Sequence, residues 1–164
     1  MESVVLLLGS NDVEAAAIVE QAIEALRSDV GEVERISAEY HSEAYGFTSD
    51  REFINRCVEL HTEYDAYEVL HRINAIEARL GRNREQEREV QAAMGERYAS
   101  RPIDIDIIFY GDKTFSDERL TIPYHFLDER LYALRPLVEI APDRKHPALT
   151  LTPHQMLERA EANE

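Results

Sequence analysis

The chain is poor in cysteine, lysine and glycine and has no tryptophan. Its single cysteine, Cys57, excludes an internal disulfide framework. No apolar run approaches the length of a membrane span, and the opening MESVVLLLGSND lacks the basic segment and long apolar core of a secretion signal. A reducing cytoplasm is therefore the expected location. Cations are in deficit too: 18 Lys+Arg face 33 Asp+Glu, a net charge of −15. That balance argues against a nucleic-acid or anionic-membrane surface. There is no repeat, no low-complexity tract and no GxxxxGK[ST] motif, so a P-loop is excluded. The 164 residues fit one domain, spanning 1–164. A chain of this size buries roughly 70% of its unfolded surface, enough for a core without staples.

What is there is unevenly placed. Lys113 and Lys145 are the only lysines, so the cations are nearly all arginine. Seven of these fall between 72 and 101: Arg72, Arg79, Arg82, Arg84, Arg88, Arg97 and Arg101. They read either as a charged face laced with ion pairs or as an anion clamp, for which the planar guanidinium fork is suited.

Periodicity outlines the elements. VVLLLG (4–9) reads as a buried strand, SND after it as a helix cap, and GSN as a weak candidate for a phosphate-binding helix start. Ala16, Val19, Ile23 and Leu26 mark one face of a helix. EVERISAEYHS (32–42) reads as one strand and FINRCVELHTEY (53–64) as another. DAYEVLHRINAIEARLG is an amphipathic helix stopped by Gly81. Residues 82–100 show no clear apolar stripe and read as an Arg/Glu-rich connection, mobile for part of its length. RPIDIDIIFYG (101–111) is a strand, RLTIP (119–123) a short one, LRPLVEIAP a helical turn, and TPHQMLERAEA (152–162) a capped helix with proline in its first position. The order β-α-β-β-α-β predicts an α+β, ferredoxin-like sandwich with a mainly antiparallel sheet and extra C-terminal strand and helices.

The aspartate strand carries the chemistry. Side chains at i and i+2 share a strand face, so Asp104 and Asp106 point the same way while Ile103, Ile105 and Ile107 point into the core. Adjacent carboxylates repel unless cations neutralise them. Hard oxygen ligands of this kind suit Mg²⁺, which completes its octahedron with waters and phosphate oxygens. The alternative is a wet strand face on which the pair meets arginines. On the third strand Phe53 and Asn55 share a face, as a stacking ring and an edge-reading amide for a flat heterocycle would; a surface aromatic covered by its loop is the alternative. The six histidines show no metal-ligand spacing, and Cys57 reads as a packed thiol.

These pieces, read in order, carry a resemblance. LLLGSN (6–11), SEAYGF (42–47), FINRCVELHT (53–62), IEARLGRNR (76–84), RPIDIDIIFYG (101–111), RLTIP (119–123) and LRPLVEIAP (134–142) resemble the 6-hydroxymethyl-7,8-dihydropterin pyrophosphokinase family of folate biosynthesis. The resemblance implies transfer of pyrophosphate from ATP to the pterin hydroxymethyl oxygen, with release of AMP. It implies that Asp104 and Asp106 bind two Mg²⁺ ions, and that Arg82 and Arg101 hold phosphate oxygens as catalytic residues, with Arg84 nearby. Phe53 would stack on the pterin, and Asn55, with the backbone around Ser42, Ala44 and Tyr45, would read its edge. Asn74, Glu77, Ile107, Arg119, Leu120, Thr121 and Arg130 fall at nucleotide-side positions.

The chain departs from the family pattern in three places. The family usually has histidine directly after IP, where this chain has Tyr124 and then His125, so their shares of the ATP pocket are exchanged or reduced. Tyr132 replaces the usual phenylalanine as the second stacking ring. The connection 85–97 is longer than in compact members, and Tyr98 stands where an aromatic often closes over the site. A monomer is expected, with ATP and the pterin as its partners. A different Mg-dependent nucleotidyl transferase and a non-catalytic heterocycle-binding domain are the alternatives.

Overall fold

Val4–Ser10 are buried without a break because the strand that carries them is covered on both faces. The computed structural model describes residues 1–42, 52–94 and 102–164. The chain runs β1 (Glu2–Ser10), α1 (Ala15–Asp29), β2 (Glu32–Ile36), β3 (Tyr40–Ser42), β4 (Phe53–Thr62), α2 (Ala66–Arg79) and α3 (Arg84–Met94). It continues through β5 (Asp104–Tyr110), β6 (Phe115–Ser116), β7 (Thr121–Ile122), a 3-10 turn at Leu127–Glu129, α4 (Leu131–Ile140) and α5 (Pro153–Ala162). The main sheet has the order β2-β4-β1-β5, with β3 also on β4, and every pairing is antiparallel. This is the predicted ferredoxin-like arrangement.

Alternation along β1 sorts its side chains between two cores. Val4, Leu6 and Leu8 pack with Val19, Ile23 and Leu26 of α1 and Val69, Ile73 and Ile76 of α2. Val5 and Leu7 pack on the other face with Leu134 and Leu137 of α4 and Met156 of α5. Burial of each such side chain is worth about 1.5–3 kcal/mol, so Leu6→Ala, which also opens a cavity, costs roughly 2–5 kcal/mol. Among the described residues no helix is long and apolar enough to cross a membrane.

The helix ends follow their sequence signals in two cases. Asp65 caps α2 by accepting from Glu68 N at 2.8 Å, and Gly81 follows the helix at φ +103°, a conformation that favours glycine. Thr152 and Gln155 form a reciprocal capping box on α5 with Pro153 at its start.

Four expectations are corrected. SND is not the cap of α1: Gly9 and Ser10 finish β1, the helix begins at Ala15, and Glu14 at its N-cap makes no side-chain bond. No phosphate-binding helix start therefore follows from GSN. Residues 32–42 are two strands, because the Ser37 hydroxyl accepts from Cys57 N at 2.9 Å and takes the place of a ladder bond. Residues 84–94, read as connection, are the helix α3. LRPLVEIAP lies mostly in α4, a full helix of 10 residues rather than a turn. A two-stranded hairpin, β6 with β7, also stands where only the second strand was predicted.

Candidate active site

Strand register decides which side chains meet. Gly9 on β1 pairs with Asn55 on β4 and with Asp104 on β5. Leu7 pairs with Cys57 and with Asp106. Directly opposed residues share a face. Asn55, Gly9 and Asp104 therefore form one row across the sheet, and Cys57, Leu7 and Asp106 form the next. Leu7 and Cys57 are sealed in the core beneath α4 and α5, whereas Asp106 is only half-buried. A Cβ on Gly9 would lie 3.1 Å from Asn55 Oδ1 and 3.7 Å from Phe53 Cδ1. Glycine keeps the floor between the amide and the carboxylate open.

On one side of this floor, Asn55 is buried and donates through Nδ2 to Ser42 Oγ at 2.7 Å. That bond orients the amide from the β3 edge. The space beyond is a cavity of about 400 Å³ lined by Tyr40, Ser42, Asn55, Arg130, Tyr132 and Arg135, among others. Tyr132 is tied by its hydroxyl to the Tyr124 hydroxyl at 2.8 Å, and Arg130 Nη1 donates to both oxygens, at 2.9 Å to Tyr132 and 3.2 Å to Tyr124. Burial pushes both phenols above their ordinary range; the charge of Asp106 adds to this at each, while Arg130 opposes it.

On the other side sits an ionic network. Arg82 Nη1 donates to Asp104 Oδ1 at 2.7 Å and to Glu77 Oε2 at 2.9 Å, and its Nε donates to Glu87 Oε1 at 3.0 Å. Glu77, only 1% exposed, also accepts from Ile105 N at 2.8 Å and from Arg84 Nη2 at 2.8 Å. Burial works against the charge on Arg82, but Asp104, Glu77 and Glu87 outweigh it and hold the guanidinium above its ordinary value. Burial raises the Glu77 carboxyl, with Arg82, Ile105 N–H and Arg84 pulling it back. A second cavity, of about 540 Å³, is lined by Asn74, Glu77, Gly81, Arg82, Asn83 and Arg84, among others.

Asp104 connects the floor to the second cavity through its bond to Arg82, and Asp106 stands in the next row of the sheet. Burial pushes Asp106 well above the usual carboxylate range, and the charges of Asp104 and Glu77 push it further. Among the described residues no cluster of three or more His, Cys, Asp or Glu could hold a metal by itself. The Asp pair fits Mg²⁺ as a partial donor set: two neighbouring carboxylates served by one guanidinium, with Asp106 left under the charges of Asp104 and Glu77, to be completed by water and phosphate oxygens.

The remaining predicted residues divide. Phe53 starts β4 beside Asn55 on the floor, and Ser42 ends β3 opposite it. Asn74 is exposed on α2 and lines the second cavity. Ile107 and Leu120 place their side chains in the core with Leu6 and Leu8. Thr121 is exposed; Arg119 is also exposed, with its guanidinium 5.1 Å from the Tyr67 ring. Tyr124 turns toward Tyr132, whereas His125 is exposed against Phe126, with ring centroids 3.9 Å apart. Ala44, Tyr45 and Arg101 lie outside the described residues, as do Arg97 and Tyr98. Cys57 is the packed thiol expected, fully buried.

Sequence reasoning missed Gly9, Tyr40 and Arg135. Gly9 carried a signal, a glycine directly after a fully apolar run, but only the strand register shows what it faces. Tyr40 and Arg135 carried none, since their place on the cavity depends on how α4 crosses β3.

Residues 5–142 match the 7,8-dihydro-6-hydroxymethylpterin-pyrophosphokinase (HPPK) family. The chain is 39% identical over 137 residues to 2-amino-4-hydroxy-6-hydroxymethyldihydropteridine pyrophosphokinase of Methylorubrum extorquens, covering 83% of this chain and 80% of that one. It is 35% identical over 147 residues to the protein of the same name from Aquifex aeolicus, covering 90% and 85%. Its fold matches wild-type Plasmodium falciparum HPPK-DHPS crystallised with pteroate, with a TM-score of 0.75 at 16% identity. It matches the same protein crystallised with pterin and p-hydroxybenzoate, with a TM-score of 0.75 at 17% identity. These alignments take in 99% of this chain but only 45% and 42% of those longer chains. By sequence and by fold, the chain belongs to the 7,8-dihydro-6-hydroxymethylpterin-pyrophosphokinase family, the pyrophosphokinases of folate biosynthesis.

Proposed function

We propose that this enzyme moves the β- and γ-phosphates of ATP together onto the hydroxymethyl oxygen of 6-hydroxymethyl-7,8-dihydropterin and releases AMP, with Asp104 and Asp106 as ligands of two Mg²⁺ ions. The observation that carries this reading is the row Asn55–Gly9–Asp104, which begins at a residue lining the amide-and-aromatic cavity and ends at a carboxylate bonded to Arg82, a residue lining the arginine-rich one. The flat heterocycle lies over Gly9, stacked between Phe53 and Tyr132, with the Asn55 amide and the Ser42 region on its edge. The nucleotide takes the opposite side, near Asn74, Arg82, Arg84 and the backbone of β5 at Ile107, while Arg130, a nucleotide-side position by resemblance, lines the first cavity. Arg119, Leu120, Thr121 and His125 bound the nucleotide side by resemblance, as Ala44, Tyr45 and Arg101 complete the two ends. The single cysteine supports a reducing compartment, and we place the protein in the cytoplasm and take it as a monomer of one domain.

Phosphoryl transfer asks for positioning and charge neutralisation more than for covalent catalysis. Bound Mg²⁺ supplies cation charge to the transferred phosphates. Arg82 contributes differently: anchored on Glu77, it sets the orientation of Asp104 and keeps one cation beside it. The new bond runs from the hydroxymethyl oxygen to Pβ, and the Pβ–O bond to the α-phosphate breaks with AMP as leaving group. The test is AMP release from ATP and Mg²⁺ with and without the pterin, beside Asp104→Ala. Pterin-dependent AMP that is absent in the variant is expected; ADP or pterin-independent product overturns the reading.

A further inference from the structure

Tyr124 is bonded through its backbone N–H to Ile108 O of β5 at 3.1 Å, and among the described residues its hydroxyl meets neither Arg82 nor Arg84. Its partners are the Tyr132 hydroxyl at 2.8 Å and Arg130 Nη1 at 3.2 Å. Arg130 adds 2.9 Å to Tyr132, so the three groups close a triangle. The guanidinium carbon also lies 5.2 Å from the Tyr124 ring centroid, within cation–π range. A phenol can donate once and accept twice, so one phenolic proton is used in the oxygen–oxygen contact while Arg130 serves both oxygens as donor. Removing either hydroxyl breaks the same contact.

The triangle is anchored at the base of a helix. Arg130 is the N-cap of α4, and Tyr132 is the second residue of that helix. The Tyr132 ring and Arg130 both line the cavity that Asn55 closes from the other side. A ring on one wall of a two-sided slot must stand at a fixed height to stack on a flat ligand. Here the height is set by the hydroxyl, and the hydroxyl is held from behind by Tyr124. Phenylalanine at 132 would keep the ring and lose the tether.

We propose that Tyr124, through Tyr132 and Arg130, is a positioning residue for the pterin rather than a nucleotide contact. This rests on the functional reading above, in which the pterin occupies the cavity beside Tyr132. The experiment is a double-mutant cycle of Tyr124→Phe, Tyr132→Phe and the double variant, with KM for pterin and for ATP measured separately, alongside pterin affinity without ATP. Each single variant is expected to raise the pterin KM and dissociation constant by about 2- to 10-fold, the worth of one hydrogen bond. The ATP KM should stay within about twofold, and the double variant should be no worse than Tyr132→Phe alone, since Tyr124 acts only through the Tyr132 hydroxyl. Thermal unfolding confirms that each variant is folded, and Tyr132→Leu, which removes the ring, should weaken pterin binding further than Tyr132→Phe. Effects that multiply in the double variant, or a Tyr124→Phe change confined to the ATP KM, overturn the proposal. Wild-type enzyme without pterin-dependent turnover would overturn the functional reading instead, so the two failures are told apart.

Discussion

Arg82 and Asp104 are 22 residues apart in sequence and 2.7 Å apart in space, and the nitrogen that joins them also donates to Glu77. The cation beside the candidate metal carboxylate is therefore held by a second, fully buried carboxylate. Glu77 is a structural keystone of the site as well as a neighbour of the nucleotide cavity.

Glu77→Ala should destabilise the protein by roughly 1–3 kcal/mol, because it takes one of three carboxylates from the buried Arg82 and leaves Ile105 N–H without its acceptor. Glu77→Gln keeps an acceptor for the amide and should cost less. Urea unfolding of both variants measures the difference; equal, small losses would show that water replaces the carboxylate at no cost.

Asp106→Asn should abolish turnover and yet raise the unfolding midpoint in chelator-treated buffer. The folded carboxyl titrates above its unfolded value, through burial and then the neighbouring Asp104 and Glu77 charges. Its ionisation thus costs stability, starting as pH rises past the unfolded value of about 3.9 and growing until the folded group has titrated. The gain from asparagine should be smallest near pH 4 and largest at neutral pH and above, at a few degrees for a chain of this size. No gain at pH 8 would mean that the site is better hydrated than its burial implies.

Mg²⁺ should stabilise the wild-type protein more at pH 8 than at pH 5, since the ion takes the ionised carboxylates and must displace a proton from Asp106 at the lower pH. At a free concentration a hundredfold above its dissociation constant, an ion binding only the folded state adds about 2.7 kcal/mol. Thermal scans of wild type and Asp104→Ala, with and without the ion, measure this. Stabilisation that survives in the variant would place the ion elsewhere.

Gly9→Ala should raise the pterin KM about tenfold while affecting the ATP KM much less. The added Cβ stands 3.1 Å from Asn55 Oδ1, so the amide must shift by a few tenths of an ångström or the ligand must rise from the floor. Gly9→Val should act more strongly still. A valine variant with native pterin kinetics would remove Gly9 from the site.

The strands that build the site were legible because period-2 alternation survives in any single stretch, and 103–108 sets its aspartates apart from its isoleucines. The charged helix α3 was not. Its sequence REQEREVQAAM offers only a narrow apolar stripe, and Glu87 turns inward to Arg82 rather than outward to water. A signal was present in Asn83, whose Oδ1 accepts from Gln86 N at 2.9 Å, a start pattern that the run of arginines obscured. The arginines themselves were read as either surface ion pairs or phosphate clamp. Arg82 is a buried ion pair, an outcome that depends on Glu77 and Asp104 arriving from different elements. The break at Ser37 was equally invisible, because a serine that substitutes for a ladder bond looks like any other residue of an alternating strand.

The irregularity in β5 has a further consequence. Leu6 pairs with Ile107 and Val5 with Phe109, so Ile108 is an extra residue between them. Residues 104 and 106 face the site; past the bulge that face is taken over by 109, and Tyr110 turns to the opposite core with Ile105 and Ile107. One short strand thus changes phase midway, and its two halves run in different registers on the same partner, β1. Point substitutions leave this phase alone, whereas losing a single isoleucine at 107 or 108 would force a choice: either the carboxylates swing into the α1–α2 core or the aromatic end does so in their place. The chemistry at 104 and 106 is tuned residue by residue, but its aim depends on how many residues follow.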